Sequence, residues 1–273
     1  MNQLRTPDTS PFASWVAYFT ANLARHDRLD AHIPWDSNLT LPKEHADAIA
    51  RSLQRFELGE SGDGIGLLGK ARRVAGADQC AALVLLVAEE QKHSALFGAA
   101  LQRFGTERLT SHWSDAAFVR LRRLLGLRTE VTLFLIAETV ALEYFAALAR
   151  CGDLAVQGVA QRILTDEVEH IRFQVDQLRA AFDEVPRSRR MLAATAAWVV
   201  AVGAATVLAI DHAPALRACG LRPITFWHRA LRQFGLAAPH AFRLGRREWR
   251  SGPIGRPSEV PARTTAAGRG VRG

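Results

Sequence analysis

Apolar residues along the 273-residue chain recur at the three-and-four spacing of helices, and no pair of alternating segments is joined by a hairpin signal. Ser10 and Pro11 have the character of an N-cap and a first helical residue, predicting a helix over residues 10–26. The loop Ile33-Pro34-Trp35-Asp36-Ser37-Asn38 follows, and Pro42 opens the next helix. There Ile49, Leu53, Phe56 and Glu60 share one face, and the pattern predicts continuation to about Arg73 across Gly62, Gly64 and Gly66. Each interior Gly costs a helix roughly 1 kcal/mol relative to Ala.

Gly76 interrupts the pattern, and Asp78 is a cap candidate for a second bundle helix reaching about Phe104. Residues 105–127 read as a connection containing a short amphipathic piece from Ser114 and Asp115. Thr129 is a cap candidate for a third helix, apolar all round, ending near Cys151 and Gly152. Asp153 caps a fourth, which stops before Pro186 because Pro cannot continue it. Next come a 20-residue uncharged run, 191–210, a basic stretch over 217–250, and a Gly/Pro/Arg-rich tail from Ser251 that is expected to be disordered. Four long helices make an all-α bundle the leading architecture.

Composition narrows the chemistry. A 48% share of apolar residues fills a core, which excludes global disorder. Cys80, Cys151 and Cys219 lie far apart without a CxxC or Cys/His cluster, so no cysteine metal site is encoded and a reducing, cytoplasmic setting is expected. Residues 1–12 contain no apolar signal-peptide core. The net charge of +8 divides unevenly: residues 187–273 hold 15 Arg and three acids, a net +12, leaving −4 on residues 1–186.

Two histidines follow a Glu by three positions, in Glu90-Gln91-Lys92-His93 and Glu167-Val168-Glu169-His170. Glu60 precedes Glu90 by 30 residues and Glu138 precedes Glu167 by 29. The midpoints, 75 and 152.5, fall beside Gly76 and Gly152, so in antiparallel hairpins each Glu faces its Glu-x-x-His partner. Glu and His at i and i+3 share a helix face. Glu60, Glu90, His93, Glu138, Glu167 and His170 are thus six candidate ligands for two metal ions, a cation compensating carboxylates too costly to bury alone. Glu57 and Glu143 are rivals to Glu60 and Glu138, less well registered on the turns. The bland alternative puts all six on solvated faces. Glu89 and Asp166 each precede a candidate ligand and could brace the ligand imidazoles or form surface ion pairs. The other seven His show no partner spacing.

Over about residues 43–183 this pattern resembles the ferritin-like di-iron carboxylate superfamily, whose order is Glu, ExxH, Glu, ExxH on four helices. The resemblance implies terminal ligands Glu60 and Glu138, bridging Glu90 and Glu167, one metal on each of His93 and His170, and a long crossover between the second and third helices. Residues 105–127 suit that crossover. The ferritin-like bundle is thus expected over 42–186; the chain's own pattern adds an N-terminal helix and loop (1–41), an apolar plus basic amphipathic helical extension (187–250) and the tail (251–273), unlike a minimal ferritin subunit. Phe97 stands where radical-forming members carry Tyr, and Ile163 where arylamine N-oxygenases have an additional His.

Oxygen and nitrogen ligands suit two Fe, or Fe with Mn. Leu53, Phe56, Leu86, Phe97, Phe134, Leu135 and Phe145 are core or substrate-pocket candidates. The expected activity is oxygen- or peroxide-dependent oxidation of a small or lipid-like substrate, with electrons from an external reductase or ferredoxin-like donor. Iron handling, ferroxidase or peroxide scavenging is the alternative, and hydroxylation of RNA through the Arg-rich end a third. The 191–210 run fits a membrane span, a buried helix or a homodimer interface. Phe226, Ala230, Leu231 and Phe234 form one side of a basic helix that could lie on an anionic membrane.

Overall fold

The computed structural model describes residues 10–113, 120 and 126–245, and every regular element among them is helical. The order is α1 (Ala13–Asp30), α2 (Lys43–Glu60), α3 (Ile65–Val74), α4 (Ala77–Arg103), α5 (Leu127–Leu148), α6 (Leu154–Ala181), α7 (Arg187–Asp211), α8 (Ala213–Ala218) and α9 (Pro223–Ala241). The amphipathic piece expected at Ser114 and Asp115, much of the connection around it, and the tail lie outside the described residues.

Several boundaries differ from the sequence pattern for local reasons. Ser10 accepts the Phe12 N–H at 3.2 Å, so α1 begins at Ala13, and it runs past His26 to Asp30. Gly76 and Gly126 occupy the cap positions of α4 and α5, leaving Asp78 and Thr129 in the first turns. There the Asp78 carboxylate complements the helix dipole. Asp153 caps α6 as expected, accepting the Val156 N–H at 3.0 Å, and Arg103 fixes its other oxygen at 2.8 Å.

The largest correction concerns the helix expected over residues 42–73. It stops at Glu60 and restarts at Ile65 as α3. Asp63 accepts the Ile65 N–H at 3.0 Å, and Gly64 adopts φ +67°, a left-handed conformation costly for any residue with a Cβ. A Cβ there would also meet Val87 of α4 at 2.7 Å.

α2 packs on α4, α4 on α6, and α6 on α5. Between them lie the fully buried Leu53, Phe97, Leu135, Phe145 and Ile171. α1 lies across α4 and α6, where Phe12, Phe19, Leu83, Leu86 and Phe173 form a second apolar cluster. The candidate pocket residues Leu53, Phe97, Leu135 and Phe145 are therefore packed core, with the Phe56 ring tilted against them, 4.9 Å from Phe145 and 6.0 Å from Phe97.

Both α5 and α7 are long and apolar enough to cross a membrane, but the apolar window of α5 is 89% buried and that of α7 only 28%. α7 buries one stripe, Ala194, Ala197, Ala201, Ala205 and Ala209, against α5 and α9. α9 sends Phe226, Ala230, Phe234, Ala237 and Ala241 inward against α5 and α6. Removing Phe226 or Phe234 from water is worth about 1.5–3 kcal/mol each. The apolar side of α9 is thus occupied by the protein itself.

Candidate metal centre

Glu90 and His93 of α4, one helical turn apart, face Glu167 and His170 of α6, and one potential ligand atom from each of the four lies within 4.8 Å of the others. The His93 and His170 rings stack with centroids 5.5 Å apart. Nδ1 of His170 is 2.8 Å from Glu90 and 4.0 Å from Glu167, while Nδ1 of His93 is 3.5 Å from Glu167 and 3.8 Å from Glu90. Each imidazole therefore presents Nδ1 to both carboxylates.

The outer ring nitrogens are held in exchange. Nε2 of His93, on α4, lies 3.0 Å from Asp166 of α6. Nε2 of His170, on α6, lies 2.8 Å from Glu89 of α4. This fixes both rings with Nδ1 inward, the way a carboxylate sets the orientation and basicity of a ligating imidazole. Glu89 and Asp166 are buried, so their bracing role, and not a surface ion pair, is the one the fold provides.

Glu60, at the last position of α2, hydrogen-bonds Glu90 and is electrostatically coupled to Glu167 and Glu138. Glu138 of α5 feels the charges of Glu167 and Glu90, and Gln174 of α6 hydrogen-bonds its Oε1; like Glu60, it stands outside the compact four. The structure thus gathers four of the six sequence candidates into one compact group, with Glu60 and Glu138 near enough for their charges to be felt there. Their rivals are engaged elsewhere. Glu57 accepts from Ser94 at 3.1 Å and pairs with Arg108 at 2.9 Å, and Glu143 accepts from Gln233 of α9 at 2.7 Å.

Burial, then the nearby Glu90 charge, holds the Glu60 acid well above its usual range. Burial and the charge of Glu167 do the same to Glu138. Burial also works against ionised Glu90, but the hydrogen bond from Glu60 and the His170 charge outweigh it and hold the group at about 2. Burial opposes protonation of His93, yet its bonds to Asp166 and Glu167 carry it up to about 9. For His170, burial is overcome by Glu90 and Glu89, and the shift is again strongly upward. Protons here do the work of a cation: they neutralise carboxylates that would otherwise repel one another in a low-dielectric setting.

The donor set fits a metal ion. Glu90 Oε1, Glu138 Oε2, Glu167 Oε2 and Nδ1 of both histidines are buried without an aligned hydrogen-bond partner, although native proteins rarely leave such atoms unsatisfied. Those of Glu90, Glu167 and the two histidines converge on one another. The side chain of Glu90 is 18% exposed, so of the four it lies nearest the surface, while its Oε1 is buried in the cluster.

Behind the histidines lies a further layer of polar residues with no spacing signal that ties it to them in the sequence. His26 of α1 is fully buried, its Nε2 3.2 Å from Asp166 and 3.6 Å from Glu89. Asn22 donates to Glu89 at 3.1 Å, and Arg162 pairs with Asp166 and reaches Asp30 at 2.9 Å. The available signal was the spacing Phe19, Asn22, His26, which sets two polar residues on the buried stripe of α1.

His212, also without a sequence signal, sits apart from this cluster. Its Nδ1 is 2.5 Å from Ser52 Oγ, which in turn hydrogen-bonds the buried Tyr144 hydroxyl. Ile163 and Phe97 are fully buried apolar core.

Comparison with protein-family models, with curated proteins and with solved structures finds no match. The carboxylate–histidine cluster therefore carries the functional reading on its own geometry.

Proposed function

We propose that the chain is a ferritin-like di-iron, or iron–manganese, carboxylate oxidoreductase acting with O2 or peroxide on a small or lipid-like substrate. The observation that carries this reading is the reciprocal arrangement at His93 and His170. Each ring is fixed from behind by a carboxylate on the opposite helix and offers an unsatisfied Nδ1 to the Glu90–Glu167 pair.

Glu90 and Glu167 each lie within 4.0 Å of both Nδ1 atoms and would be shared by the two ions, while His93 and His170 would each hold one. Glu60 and Glu138 would complete the outer positions, Glu138 after leaving Gln174. A metal pair bound there supplies two electrons at one place, together with Lewis acidity toward an oxygen ligand. The protein's part is to hold the ligands and to exclude water. Phe97, Leu135 and Ile163 are fully buried, and Phe19 closes on the His170 ring from α1 at 6.1 Å. The side of Glu90, nearest the surface of the four, is left for oxygen and substrate. The fold brings Cys151 and Cys219, far apart in sequence, side by side as free thiols, but neither touches the carboxylate–histidine cluster, so a separate reductase or ferredoxin-like donor is part of the proposal.

The test is anaerobic reconstitution with ferrous iron, desalting and metal analysis. About two ions per chain are expected, and none bound overturns the reading. Mixing the loaded protein with O2 then separates chemistries. Product from a candidate substrate supports an oxygenase or oxidase, whereas ferric iron accumulating without product supports iron handling.

A further inference from the structure

We infer that the free face of α7 docks on an anionic lipid surface, lying along it and not crossing it. Leu192, Val199 and Ile210 are 72%, 70% and 68% exposed, and with Gly203 and Thr206 they form one crest along the helix. Val202 and Val207 flank that crest and are also exposed. Such a continuous apolar strip on a surface helix marks an interaction site. The opposite stripe, Ala194 to Ala209, is locked into the core against α5 and α9. A helix tied along its whole length to a packed body has only its outer face to offer a membrane.

Charge selects the occupant. Residues 187–245 contain eight Arg, no Lys and a single acid, Asp211. Arg187 and Arg189 are exposed at the start of α7, and Arg217 and Arg222 are exposed just beyond its end. The apolar crest is therefore framed at both ends by guanidinium groups, which suit lipid phosphates. A second copy is a poor fit. Antiparallel pairing of two α7 helices would bring Arg187 and Arg189 of one copy toward Arg217 and Arg222 of the other, and parallel pairing would stack like charges. The amphipathic face of α9, the membrane candidate from sequence, is buried and cannot serve.

The test is flotation of the full chain with vesicles of phosphatidylcholine alone or containing about a third phosphatidylglycerol, at low and high salt. Binding is expected only to the anionic vesicles, and to weaken with salt. Leu192→Gln/Val199→Gln and Arg187→Gln/Arg189→Gln should each weaken it by about tenfold or more. All four side chains are exposed, and circular dichroism confirms that the variants are folded. Wild-type protein that floats with neither vesicle overturns the proposal. So does binding unchanged in the Leu192→Gln/Val199→Gln variant, which assigns the attraction to arginines elsewhere. A wild-type dimer that those two substitutions split into monomers gives the face to a second copy.

Discussion

Nε2 of His26 lies 3.2 Å from Oδ1 of Asp166, with Oε1 of Glu89 3.6 Å away on the other side. Asp166 braces His93 and Glu89 braces His170, so one residue of α1 stands behind both imidazoles. Loss of such an outer partner typically lowers metal affinity 10- to 100-fold. His26→Phe keeps an aromatic ring at this place and removes the polar contacts to Asp166 and Glu89. It should weaken ferrous or cobaltous binding by about tenfold or more and alter the cobalt absorption spectrum. His26→Gln should recover most of the affinity. Wild-type affinity and spectrum in His26→Phe would reduce α1 to a packing element.

A second set of variants distinguishes the ligand candidates from their rivals. Glu90→Ala and His170→Ala should abolish metal binding. Glu143→Ala should leave metal stoichiometry intact while costing about 1–3 kcal/mol, because Gln233 loses its buried partner. Glu57→Gln should likewise spare the metal, since Glu57 is engaged by Ser94 and Arg108. Metal analysis and thermal melting measure both effects. Loss of metal from Glu143→Ala with retention in Glu138→Ala would reassign the ligand on α5.

The site's legibility had a physical basis. Glu60 and Glu90 lie 15 residues either side of position 75, beside the turn at Gly76, and the break after Glu60 still leaves the two carboxylates hydrogen-bonded. Spacing also placed Glu90 with His93 and Glu167 with His170. His26 was hidden because it belongs to a helix distant in sequence, and its partners are met only through tertiary packing. The break at Gly64 was hidden for another reason. Apolar periodicity continues across it, and only the left-handed backbone and the close approach of Val87 distinguish a hinge from a tolerated glycine. The basic amphipathic helix α9 showed its apolar face plainly, but periodicity cannot say whether protein or lipid covers that face.

Gly64 gives a test of that hinge. Gly64→Ala places a Cβ at φ +67° and against Val87. Left-handed strain alone costs about 1–2 kcal/mol. The variant should melt lower. Because α2 ends at Glu60, four residues before the hinge, it should also bind metal less tightly. Gly62→Ala, whose Cβ would meet nothing within 4 Å, is the control and should change neither property. An unaltered melting temperature in Gly64→Ala would show that the α2–α3 corner relaxes freely.

The pH dependence of the metal-free protein should carry a signature of His212. Burial, aided by the Arg55 charge, pushes this imidazole down to about 3, against an ordinary value near 6.5. A depressed folded value means the unfolded chain binds the proton first. Stability contributed by neutral His212 is therefore complete above about 6.5 and is lost as pH falls toward 3. By pH 5 the loss from this one group should reach about 2 kcal/mol. His212→Leu removes the titration while leaving Ser52 bonded to Tyr144. The other acids and histidines act equally in both proteins, so the difference in unfolding free energy isolates His212. Denaturant titrations of metal-free wild type and His212→Leu between pH 7 and 5 should converge as the pH falls, the wild type losing its advantage. Parallel curves over that range would mean that His212 stays accessible to protons in the folded chain.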